Sequence, residues 1–465
     1  MKASRQRPRF AESGPEDTIR WLLYAYFILL LCEGALRKWI LPELSAPLLV
    51  ARDPIAVMII LLAVFRGYWP VSGYRAIILL LGVGLAVIGM VQLFTIPEMK
   101  WPVIVFGWRT YMLHLPVIFI GARVLVRQDL VNLCRWCCGL ALPMVVMCYI
   151  QYYAGGDSLW NTGTGRDTVQ IAFEGEKVRA SGTFSFSTGS ACFFSLVAAF
   201  ALSQIGAQNI STRNRRISYL ALGACVAFMP VSGSRLALYM IGMVLLCGTV
   251  RLLNPRQLGY LLIALVAIYG ISHLPYFSDA VESMTTRMES SRMVEDEEMK
   301  WGFWSRVISG FRVPFDIFEE IPKFIGLGLG LGTNVGAALV GTDVFLLGES
   351  EWQRILGECG WYTGMAYILF RIWLALDLLI LSFLAVKVHG DWLPLLLWSA
   401  GAWTAVQGQL GQPTNLGFFV INIMSVMVAL KFPNGLSAIE RGDERRLFRM
   451  AGGRTLSAAA VRVAR

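Results

Sequence analysis

Five arginines stand where an arginine is costly. Arg37 in EGALRKWILP, Arg52 in ARDP, Arg109 in FGWRTYMLH, Arg179 in VRASGTFSFSTG and Arg235 in VSGSRLALYM each lie inside or at the edge of a long apolar stretch. An ionised side chain in such a place needs a partner or a task. A guanidinium keeps its charge on burial and donates hydrogen bonds in pairs from a planar fork, which suits the oxygens of a phosphate or diphosphate. Singly, each residue has an ordinary explanation: Arg52 pairs with Asp53 or a neighbour, the adjacent Lys38 snorkels to the interface, and Arg109 bonds a backbone carbonyl. As a group they repel one another unless something anionic sits among them, either acidic side chains or a phosphate-bearing ligand.

The elements that position these residues are apolar helices. With 56% hydrophobic and 15% charged residues and a mean hydropathy of +0.58, the 465-residue chain carries more apolar surface than one water-soluble core hides. The lipid bilayer is its main solvent. Twelve stretches read as spans: Trp21–Leu41, Pro47–Phe65, Ala76–Phe94, Val103–Ala122, Cys137–Tyr153, Phe184–Gly206, Ile217–Val231, Leu236–Val250, Leu258–Ser272, Arg354–Leu384, Trp392–Gly411 and Leu416–Leu430. The seventh and eighth are short enough to form a re-entrant pair instead. The fold class expected is all-α and polytopic, with residues 1–272 holding nine spans, 273–351 a large loop, 352–431 three spans and 432–465 a basic tail.

Basic connectors follow the even-numbered spans: Arg66 and Arg75, then Arg123, Arg127 and Arg135, then Arg213, Arg215 and Arg216, then Arg251 and Arg256. The positive-inside rule makes these cytoplasmic, with both termini. The formal charge of +10 is thereby a topology signal, not a nucleic-acid surface. The first span has no small-residue cleavage site directly after it and is expected to remain as an anchor. All five arginines then fall at the external face, where that rule disfavours them, and a cavity they line suits a polyprenyl diphosphate headgroup.

The loop from His273 to Ser350 is too long for a simple connector. Within it Trp301, Trp304, Ile308, Phe311 and Phe315 recur at helical spacing, the pattern of an amphipathic helix at a membrane surface, whether a lid over a lipid-linked substrate or a cap on the bundle. GLGLGLGTN at 326–334 has no following Lys-Ser/Thr and so is not a phosphate loop; it reads as a tight turn approaching the membrane or another backbone. Nine cysteines and three histidines offer no zinc pattern, since the CxxC at Cys134, Cys137 and Cys138 has no second ligand pair. Neither metal nor cofactor is expected.

Taken in order, VRASGTFSFSTGSACFFSL, VSGSRLALYM, a long external loop, GLGLGTN and ESEWQRILGECGWYTG resemble the O-antigen ligase and O-antigen/exopolysaccharide polymerase superfamily. The motifs cover roughly residues 179–371. EGALRKWILP and ARDP look like an exopolysaccharide branch of it. The resemblance implies a GT-C-like glycosyltransferase of the bacterial inner membrane, using neither metal nor nucleotide. Such an enzyme moves a glycan from an undecaprenyl-diphosphate-linked oligosaccharide to a glycan acceptor at the periplasmic face, with chain-length regulators or export proteins as possible partners. By similarity Arg179 and Arg235 match the arginines that hold the diphosphate. The ligase pattern has a histidine where this chain has Glu349, followed by Ser350, with Gly360 in register and Gly364 displaced by one. That departure favours the polymerase side, where a carboxylate, Glu349 or the nearby Glu351, accepts the proton of an attacking hydroxyl.

Two other classes share these features. A flippase or exporter of lipid-linked glycans is expected to show repeated halves and cations along a path to both faces, and a non-catalytic scaffold of an export complex keeps the fold without activity. The external concentration of charge and the one dominant loop favour the enzyme.

Overall fold

The computed structural model describes residues 15–69, 73–97, 99–164, 178–207, 210–251, 324–341 and 351–431. These residues are all-α. The helices are α1 (Pro15–Ala35), α2 (Ser45–Leu48), α3 (Asp53–Phe65), α4 (Gly73–Thr95), α5 (Trp101–Trp108), α6 (Leu115–Val124), α7 (Arg127–Tyr153), α8 (Ser187–Ile205), α9 (Thr212–Val231), α10 (Arg235–Arg251), α11 (Asn334–Val340), α12 (Glu351–His389), α13 (Leu393–Gln407) and α14 (Pro413–Lys431). Prolines open several of them: Pro54, Pro102, Pro116 and Pro394 sit in the first turns of α3, α5, α6 and α13, where a missing N–H breaks no helical bond.

Among the described residues, eight helical segments are long and apolar enough to cross a membrane, which makes this a multi-pass membrane protein. Three expected spans are shorter or less apolar than that measure: α9, α10 and α13, the seventh, eighth and eleventh. The ninth, Leu258–Ser272, lies outside the described residues, as do the Trp301–Phe315 helix and the basic tail. The helix α4, at 23 residues, is about 35 Å long at 1.5 Å per residue, enough for a hydrocarbon core of about 30 Å.

Which helices face lipid follows from burial. The apolar window of Pro413–Lys431 is 89% buried and that of Pro42–Phe65 only 22%, so α14 is central and α3 peripheral. Around α14 stand α13, α8 and α6. The buried residues of α8 include Gly189, Ser190, Ala191, Ser195, Ala198, Ala199 and Ala201 beside Phe193, Phe194 and Phe200; the small ones let helices approach closely where lipid supplies no hydrophobic drive.

The ends of the bundle can be told apart. At one, Arg127 at the start of α7 pairs with Asp391 before α13 at 2.5 Å. Lys431 at the end of α14 donates to the Arg123 carbonyl at 2.7 Å, and Tyr24 of α1 donates to Asp129 at 2.8 Å. The first and last described helices therefore begin and end together, as an even number of crossings requires. The opposite end, called here the far end, holds the residues of interest.

Candidate functional site

Two interruptions of regular helix carry three of the cations. Leu36–Ile40 after α1 and Arg109–Leu113 after α5 are π-helical turns, a form that costs helix energy and recurs at functional sites. The first holds Arg37 and Lys38, the second Arg109; all three are buried.

Each has a named partner. Arg109 makes a two-bond clamp on Asp53, Nε to Oδ2 at 2.5 Å and Nη2 to Oδ1 at 2.6 Å. His114 Nε2 lies 3.1 Å from the same Oδ1, with Tyr26 Oη 3.1 Å from its Nδ1. Arg52 Nε donates to Glu33 Oε2 at 2.9 Å, and Arg37 Nη1 stands 3.6 Å from Glu33 Oε1. Thus Arg52 pairs with Glu33, not with the adjacent Asp53, and Arg109 takes a carboxylate, not a backbone carbonyl. Lys38 does not snorkel: it is buried and donates to Ser181 Oγ at 2.6 Å.

These contacts hold the stretch that contains Arg179. Arg37 reaches Ser185 at 3.2 Å, Lys38 holds Ser181, and Thr183 donates to the Leu31 carbonyl at 2.9 Å. Gln151 of α7 closes the turn from the other side, accepting the N–H groups of Ser181 and Gly182 at 3.1 and 2.7 Å and donating to the Gly182 carbonyl at 3.0 Å. Residues 178–186 are thereby fixed before they enter α8. Arg235 opens α10, which packs along α8. Burial first, and the nearby Arg235 guanidinium second, lower the pKa of Arg179 below the ordinary arginine value. The two arginines singled out by sequence therefore come within electrostatic reach of each other.

A second buried network surrounds Glu351. The helix α12 breaks at Gly360, whose backbone is non-helical at φ 70° and ψ 173°. On the arm before the break Glu351, Arg354 and Glu358 follow at spacings of three and four, one face of a helix. Arg354 grips Glu351 through Nε and Nη2 at 2.9 and 2.8 Å and Glu358 through Nη1 at 3.1 Å. Glu351 Oε1 also accepts from Arg371 Nη1 at 3.1 Å and from the Leu410 N–H at 3.0 Å. Tyr111 donates to Glu358 at 2.7 Å, while Arg371 donates to the carbonyls of Ala405, Thr404 and Gly408 near the end of α13. Two carboxylates and two guanidiniums balance, which is what burial of such charge requires. With its side chain fully buried and four donor atoms upon it, Glu351 is the anchor of this network. Glu349 lies outside the described residues.

The glycine-rich segment is a close approach of backbones. A methyl group on Gly326 would stand 2.5 Å from the Gly360 nitrogen, and one on Gly330 would stand 2.5 Å from the Val103 carbonyl oxygen. Gln92 of α4 ties the segment down, donating to the carbonyls of Ile325 and Glu358 and accepting the Leu329 N–H at 2.7 Å. The segment seals α12 at its break against α4 and α5.

Sequence reasoning did not find Glu33, His114, Tyr26, Tyr111, Arg354, Glu358 or Arg371. A signal existed for some: Glu33–Arg37 and Arg354–Glu358 are four residues apart. For Tyr111 and Glu358, 247 residues apart, there was none. No family model matches the chain, and no curated protein matches it.

Proposed function

We infer that the protein is a membrane glycosyltransferase that transfers a glycan from undecaprenyl diphosphate to a hydroxyl of an acceptor saccharide at the far end of the bundle, the periplasmic face of a bacterial inner membrane. The observation that carries this reading is that the stretch bearing Arg179 is held by Arg37, Lys38 and Gln151 at the far end, within electrostatic reach of Arg235. At the far end the charges of Arg37, Arg52, Arg109, Arg354 and Arg371 are met by Glu33, Asp53, Glu351 and Glu358, and the Arg235 charge acts on Arg179. A diphosphate supplies two adjacent phosphoryl groups, to which two guanidiniums can donate in pairs.

The reaction breaks the bond between the anomeric carbon and the diphosphate oxygen and forms one to the acceptor oxygen. Arg179 and Arg235 stabilise the charge that grows on the departing undecaprenyl diphosphate, the larger catalytic contribution. The acceptor's proton passes to a carboxylate, for which Glu349 stands in the motif and Glu351, enclosed by its donors, serves as the anchor of the helix that follows. In this assignment Arg37, Arg52 and Arg109 shape the site through their carboxylates.

Purified protein reconstituted with undecaprenyl-diphosphate oligosaccharides from its own host, without metal or nucleotide, is expected to yield a ladder of longer lipid-linked glycans. An unchanged pool, with substrate moved between leaflets in matched vesicles, would replace this reading by a transporter.

A further inference from the structure

The connector between α13 and α14, residues 408–412 (GQLGQ), lies at the far end and carries a run of side-chain amides. Asn415 Nδ2 donates to Gln412 Oε1 at 3.1 Å, and Gln412 Nε2 donates to Gln409 Oε1 at 2.8 Å. Thr188, in the first turn of α8, donates to the same Gln412 oxygen at 3.3 Å. Gln409, Gln412 and Thr188 are partly exposed. Asn415 is 5% exposed, and its Oδ1 is buried without a hydrogen-bond partner, a costly state for an amide oxygen.

The backbone beneath this run is clamped on both sides. The Leu410 N–H donates to Glu351 at 3.0 Å, and the Gly408 carbonyl accepts from Arg371 at 3.0 Å. On the other side the Pro413 carbonyl accepts from Arg52 Nη2 at 2.5 Å. Three charged groups, Glu351, Arg371 and Arg52, thus fix this short polar loop. Such support is what a recognition surface needs, because side chains hold a ligand well only when their own positions are set in advance.

We propose that Gln409, Gln412 and Asn415, with Thr188, form the subsite that hydrogen-bonds the sugar next to the diphosphate. This deepens the glycosyltransferase reading and rests on it. Sugar hydroxyl and acetamido groups donate and accept at once. The run offers both senses: the partly exposed Gln409 uses its oxygen within the run and keeps its N–H groups to donate, and Asn415 Oδ1, buried at the other end, is an acceptor whose need is unmet. Thr188 belongs to the helix entered from the Arg179 stretch, so the amides join that stretch to the loop. Glu351 and Arg371 contribute as positioning residues.

The test uses the full chain in lipid nanodiscs and two probes, bare undecaprenyl diphosphate and the host pool of undecaprenyl-diphosphate oligosaccharides. Wild type is expected to bind the glycan-bearing lipid at least tenfold more tightly than the bare one. Gln412→Leu and Gln409→Ala are expected to erase most of that difference while binding the bare lipid as before. Should Gln412→Leu not fold, Gln409→Ala decides, since Gln409 is partly exposed and accepts a single bond in the run. Equal wild-type affinity for both probes would overturn the subsite and leave the diphosphate reading standing. Binding of neither probe would overturn both. A parallel loss of both affinities and of thermal stability in the variants would make the connector structural and overturn the subsite.

Discussion

The arginines at the far end divide by the company they keep. Arg354 and Arg371 are locked to Glu351 and Glu358 deep in the protein, and removing one member leaves the others as uncompensated buried charge. Glu351→Ala is expected to cost about 3–5 kcal/mol, read as a lowered unfolding temperature in detergent, and Glu351→Ala combined with Arg354→Ala should cost less than the sum. Additive losses would show that the two do not form a unit. Under the proposed function Arg179 and Arg235 hold the diphosphate. Arg179→Ala and Arg235→Ala should abolish polymer formation while the protein still inserts; full-length polymer from both would remove the diphosphate clamp. Arg179→Lys adds a sign that can be checked. Burial and the Arg235 charge push a cation at this site downward, and lysine starts lower than arginine, at about 10.4. Its charge, and with it activity, should fall as pH rises through the alkaline range, where wild type holds.

At the scale of elements, departures from regular helix do the positioning. The two π-turns carry Arg37, Lys38 and Arg109, all three buried, and such turns recur at functional sites. The break at Gly360 separates the arm bearing Glu351, Arg354 and Glu358 from the remainder of α12, and it requires glycine twice over. Its φ of 70° is unfavourable for any other residue, and an added methyl would meet the Phe324 carbonyl oxygen at 2.7 Å. Gly360→Ala is expected to destabilise by about 1–3 kcal/mol and to lower glycan transfer more than it lowers binding of bare undecaprenyl diphosphate, because the arm lies beside the amide-bearing connector. Unchanged stability and transfer in this variant would show that the break does not set the arm.

For the whole molecule, the ends of the bundle set what each charge can meet. Arg127, Asp391 and Lys431 staple one end, and the paired arginines, the glycine-rich segment and the connector 408–412 share the other. The proposed orientation puts the far end outside. A membrane-impermeant thiol reagent should therefore label Glu297→Cys, and not Arg215→Cys, in intact cells. The reversed pattern would overturn the orientation and every role placed on it. Because most of the native cysteines, including Cys137, Cys148 and Cys225, are buried, background labelling should be low.

Composition and apolar periodicity by themselves determined that this is an all-helical multi-pass membrane protein, because about twenty apolar residues in a row have one stable solution in lipid. The cost of charge in that setting picked out Arg37, Arg52, Arg109, Arg179 and Arg235, and glycine without a phosphate-loop lysine pointed to a tight turn approaching the membrane or another backbone at 326–334. What answered those charges was decided in three dimensions. Asp53 meets Arg109 across 56 residues and Glu33 meets Arg52 across 19, separations that no local period encodes. Glu351, chosen by motif position, was enclosed by Arg354, Arg371 and the Leu410 amide. A residue's type states the charge it brings; only packing states which other charge is brought to it, because partners far apart in the chain meet only in the fold.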